Sequence, residues 1–317
     1  MKTKLKTNCS IVRLFGLFDC GRLMRSAIAV ALCAVGLSAA AAEPVTYLDW
    51  DDANKKMTNA ICTAFELVTA DTATFEAGKT YVVQGTVEQS VHGIAVEGTS
   101  SNPTRLILCD GAKLTVTGQS AAETAGLNVS NGTAIVICGQ KGGTGVLEAT
   151  GGAGAAGIGG NAGQAAGTVT IYGGSVTALG KDGAAGIGGG MNKTDTGTVT
   201  FGAKFTIKAG VDAASAQPIA QDDYKNDHGA AYVHIGPAVV AQFVRGGAVV
   251  AEFKTAEEAV AALDDAQYAD IEEFRIGLAA DTVFDFGGRT NRVVILNVGN
   301  VENTLKNVLL DCAGDYV

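Results

Sequence analysis

The residues best equipped for chemistry fall in two acidic groups. Asp222, Asp223 and Asp227 crowd one short stretch, with His228 beside the last. Carboxylates and an imidazole so close could hold a cation, which wants several oxygen ligands. A solvated polar loop has the same composition and is the plainer reading of QDDYKNDHG. The second group is YLDWDD, where Tyr47 and Trp50 stand beside Asp49, Asp51 and Asp52. An aromatic pair next to carboxylates can stack on a sugar ring; the N-terminal cap of a repeat domain uses similar residues. Tyr47, Trp50, Asp222, Asp223, Asp227 and His228 are therefore the candidate ligand contacts.

Catalysis and cofactors find less support. GAGAAG fits G-x-G-x-x-G at Gly152, Gly154 and Gly157, but a dinucleotide site needs a helix opening at the third glycine. IGGNAGQAAG follows instead, too rich in glycine for a helix. The calcium nonapeptide G-G-x-G-x-D has Ala156 where its carboxylate belongs. Between 120 and 210 the acids are Glu123, Glu148, Asp182 and Asp195, and they do not recur at the repeat spacing. A glycan-cleaving site would need clustered acids. His92 and His234 have no partner spacing. No catalytic residue, metal ligand set or cofactor site is expected. Cys62, Cys109, Cys138 and Cys312 are widely spaced, which argues against zinc. Cys109 and Cys138 sit in apolar strand patterns and read as small core side chains, with a disulfide as the alternative.

The elements that must position these residues are strands. YVVQGTV (81–87), GIAVEG (93–98), RLILCDGAKLTV (105–116), GLNVSNGTAIVICG (126–139) and GVLEATGG (145–152) alternate apolar and polar between turn residues. AAGIGG recurs at 155 and 184, and GTVT at 167 and 197. Repeats of this period and no helix pattern predict coils of a solenoid, each too thin to form a core alone. Stacking would set Ile158 near Ile187, Val169 near Val199 and Val176 near Phe205. After residue 211 a polar stretch reads as an excursion, and YVHIGPAVV resumes a strand. TAEEAVAALDDA (255–266) carries a helix pattern with Thr255 as N-cap. FRIGLA, TVFDFGG and NRVVILNV follow as strands. The expectation is an all-β parallel β-helix over 43–240, then a partial second β module with one helix over 241–317. The chain stops at DCAGDYV soon after a strand, so that module reads as truncated.

Destination is read from residues 1–42. Arg22 and Arg25 precede SAIAVALCAVGLSAAAA, and Ala40 and Ala42 give an A-x-A cleavage pattern, the order of a signal peptide. Met24 is a second possible start. Secretion or cell-surface display follows, without membrane insertion after cleavage. A net charge of −9 argues against nucleic acid, which needs a basic face.

YVVQGTVEQS, RLILCDGAKLTV, GLNVSNGTAIVICGQKGGTGVLEATGG, GAAGIGGN and GTVTIYGGSVTALG, taken in order, resemble the glycine-rich parallel β-helix repeats of secreted and cell-surface bacterial proteins, which are adhesin-like. The resemblance covers roughly residues 80–210. It implies a parallel β-helix and an adhesive role, with extracellular glycans or host and cell-surface components as partners. A carbohydrate-active enzyme of the β-helix type, either lyase or hydrolase, and a structural stalk are the alternatives.

Overall fold

The short apolar runs fold as strands, and equivalent runs of successive repeats pair in parallel register. The computed structural model describes residues 43–54, 56–193, 197–225, 230–276, 282–287, 295–297 and 303–306. The expected leader, Asp227, His228 and Cys312 lie outside the described residues.

A β-solenoid of about four turns results. Its short face stacks β4 (Thr74–Phe75), β7 (Ile94–Val96), β10 (Leu127–Asn128), β13 (Ile158–Gly159) and β16 (Ile187–Gly188). A second face stacks β3 (Glu66–Leu67), β5 (Thr80–Val83), β8 (Thr104–Leu108), β11 (Ala134–Gly139), β14 (Thr168–Ile171) and β17 (Thr198–Phe201). The third begins with β6 (Thr86–Gln89), β9 (Lys113–Thr117), β12 (Val146–Thr150) and β15 (Ser175–Leu179). The run YVVQGTV is thus split between two faces by a turn at Gln84 and Gly85, not one strand.

Inward side chains form continuous ladders. Ile94, Leu127, Ile158 and Ile187 are register partners on the short face. Leu106, Ile137, Ile171 and Phe201 stack on the second, beside Val169 over Val199. Leu114, Leu147 and Val176 stack on the third. These ladders share one core, and each fully buried Leu or Ile contributes about 1.5–3 kcal/mol.

The expected contact of Val176 with Phe205 does not form. β18 (Phe205–Gly210) leaves the stack, and β20 (Tyr232–Pro237) returns to lie antiparallel between β15 and β18. Val176 pairs with Ile235, which pairs in turn with Ile207. β19 (Gln217–Ile219) completes the third face. The alternation of YVHIGP makes a strand but carries no information about its direction or neighbour.

A hairpin of β1 (Val45–Asp51) and β2 (Lys56–Cys62) lies on the outside of the second face. It covers Val82, Ile107, Val136 and Cys138, the outward residues of β5, β8 and β11. All six residues of β11 are buried for this reason. Cys138 therefore sits outside the coil, over Ile107 rather than Cys109, and Cys62, Cys109 and Cys138 are all free thiols. Cys138 is a small buried side chain as expected, and the alternative disulfide with Cys109 does not form.

After Pro237 the chain builds a separate apolar cluster. β21 (Ala241–Arg245) and β22 (Ala248–Phe253) form a hairpin, followed by α1 (Ala256–Ala262). Thr255 caps the helix by accepting from the Glu258 amide, and Ala256, Ala259, Val260 and Leu263 face the cluster. The helix is shorter than its pattern suggests, because Asp265 instead caps a 3-10 turn at Ala266–Tyr268. β23 (Glu273–Arg275) pairs in parallel with β25 (Ile295–Asn297), and β24 (Thr282–Asp285) with β26 (Asn303–Lys306).

Candidate functional site

The aromatic contacts of the YLDWDD group point in different directions. Tyr47 and Trp50 are three residues apart on one strand, so they take opposite faces. Tyr47 is only 7% exposed and packs under the hairpin. Its hydroxyl donates to Asp49 Oδ2 at 3.0 Å, and the Arg105 guanidinium lies 5.4 Å from its ring centre. Arg105 in turn pairs with Asp49 at 3.1 Å. Burial raises the Tyr47 pKa and pushes the Cys138 thiol up to about 12, so neither ionises near neutrality. Trp50 stands on the other side, its indole donating to Asp52. These residues lock the hairpin to β8 and do not form an aromatic platform.

Asp222 and Asp223 lie exposed in a 3-10 turn at Gln221–Asp223. Among the described residues no group of three His, Cys, Asp or Glu side chains converges as a metal site would need. His234 lies on the third face between Thr177 and Lys208, sharing a 2.9 Å hydrogen bond with Thr177.

The concave site is elsewhere. Insertion of β20 separates β18 from β15 by an extra strand spacing of about 4.8 Å, while β14 and β17 remain neighbours. The corner between the second and third faces is thereby wedged open. A cleft of about 380 Å³ occupies it, within the size of ordinary ligand pockets. The hairpin supplies Met57 and Asn59, and three successive coil corners supply Lys141, Tyr172 and Lys204 in turn. Pro237 ends the inserted strand, and Lys254 and Glu257 come from the start of the helical module.

The walls are tied together. Gln140 Nε2 donates to the Thr46 carbonyl at 2.8 Å, and its Oε1 accepts from the Asp110 amide at 2.7 Å. Ala238 N donates to the Lys204 carbonyl at 3.2 Å. Gly202 leaves room for two of the lining side chains: a Cβ there would stand 2.5 Å from the Tyr172 ring and 2.9 Å from Met57 Sδ. Burial raises the Tyr172 pKa, helped by the Asp49 carboxylate, so its phenol stays protonated. The cleft is lined by an aromatic ring, apolar carbon, glycines and three lysines, with Glu257 as its one acidic residue.

No sequence feature pointed to this cleft, because its residues come from distant segments joined by the β20 insertion. No protein-family model matches the chain, and no curated protein or solved structure matches it at a significant level. No helix of the described residues is long and apolar enough to cross a membrane.

Proposed function

We propose that the chain is a non-catalytic secreted or cell-surface β-solenoid protein that binds glycan through the corner cleft. The observation that carries this reading is the make-up of the cleft. The aromatic ring of Tyr172 can stack on a sugar, and the surrounding polar side chains can hydrogen-bond its hydroxyls. Cleavage finds no matching machinery there. Hydrolysis uses two facing carboxylates, and Glu257 stands alone. Burial raises the Tyr172 pKa, which makes its phenol a poor base for a lyase. One shallow site gives modest affinity, and display of many copies on a surface would raise it by avidity.

Affinity electrophoresis of the purified chain in gels cast with acidic and neutral polysaccharides tests this. The expected result is retardation by at least one polysaccharide, with no new reducing ends and no absorbance from unsaturated uronates. Retardation by none refutes binding. Product release abolished by Glu257→Gln replaces binding with catalysis.

A further inference from the structure

We infer that the cleft selects acidic sugars, those bearing carboxylate or sulfate; this rests on the glycan-binding reading above. Residues 43–317 hold 17 basic and 31 acidic residues, so a cleft with three lysines and a single acid runs against the character of the chain. The cleft nonetheless collects Lys141, Lys204 and Lys254 from three separate segments, with Glu257 the one acid.

Some cations elsewhere are neutralised by an adjacent acid. Lys79 pairs with Glu66 and Glu76, Lys113 with Glu148, Arg245 with Asp270 and Arg275 with Glu273. The three cleft lysines form no ion pair among the described residues. An anion seated among lysines that line one cleft is attracted by each of them. Lysine is a mobile point charge on a flexible stem, suited to a carboxylate or sulfate whose position varies along a polymer. Tyr172 adds an aromatic ring that a simple anion would not use.

The test measures Kd of the full chain for polygalacturonate, its methyl ester and chondroitin sulfate. Polygalacturonate or chondroitin sulfate should bind, the tighter one identifying the anion, and the ester at least about tenfold more weakly than the free acid. Lys141→Ala, Lys204→Ala and Lys254→Ala should each weaken binding about two- to fivefold, and together roughly ten- to thirtyfold. Affinity should fall with salt, less steeply in each variant. Circular dichroism should show the variants folded. Equal binding of ester and acid, lost in Tyr172→Ala but not in the lysine variants, overturns the inference and leaves glycan binding standing. Full displacement by inorganic phosphate also overturns it, showing a simple anion site. Binding of no polysaccharide overturns both readings.

Discussion

Replacing Ile158 with Asp should lower stability by about 5 kcal/mol or more, enough to unfold many domains outright. Ile158 is fully buried, between Leu127 and Ile187 in the short-face ladder. The substitution removes a branched side chain, a loss of about 2–5 kcal/mol when a cavity remains. It also places a carboxylate among apolar residues with no cation nearby. The same change at Ile187, the last rung, should cost less, because only one neighbouring coil is disturbed. Thr198→Asp, on the exposed outward side of β17, should be nearly silent. Thermal melts followed by circular dichroism rank the three. Equal melting temperatures for Ile158→Asp and Thr198→Asp would place Ile158 outside the core and break the register.

Gly159→Ala should cost about 3 kcal/mol or more, although it adds a single methyl group. Gly159 has φ +138°, and a Cβ there would lie 1.9 Å from the Gly188 carbonyl oxygen on the next coil. That contact is to backbone, so no side-chain movement relieves it and the coils must part. Gly163 separates crowding from conformation. It has φ +70° with nothing within 4 Å of a built Cβ. Gly163→Ala should cost only the left-handed penalty of about 1–2 kcal/mol. Similar losses of melting temperature in the two variants would show that coil spacing does not demand glycine at 159.

The coil register was legible because the repeats carry it. Matched AAGIGG and GTVT copies fix Ile158 against Ile187 and Val169 against Val199, as their register partners show. A further signal lay in plain view. IVICG is apolar without alternation, the mark of a strand covered on both faces, and the hairpin of β1 and β2 is that cover. Tyr47 belongs to the cover, so its aromatic character serves packing. The position of β20 was not legible. SVTALG and KFTIKAG look like consecutive rungs, yet a strand from beyond residue 230 separates them. Pairing across such a distance depends on which edge is free when the segment returns, and local alternation does not encode it. The cleft inherits this opacity, because Lys141, Lys204 and Lys254 meet only after the insertion.

One antiparallel strand set into a parallel solenoid opens the corner that becomes the cleft. Disulfide trapping measures it directly. Thr177 and His234 are register partners, so Thr177→Cys with His234→Cys should crosslink under mild oxidation and be found by peptide mapping. Thr177→Cys with Thr206→Cys should not, since β20 holds those strands two spacings, about 9–10 Å, apart. A crosslink between residues 177 and 206, with none between 177 and 234, would mean that β18 stacks directly on β15, and the cleft would not exist.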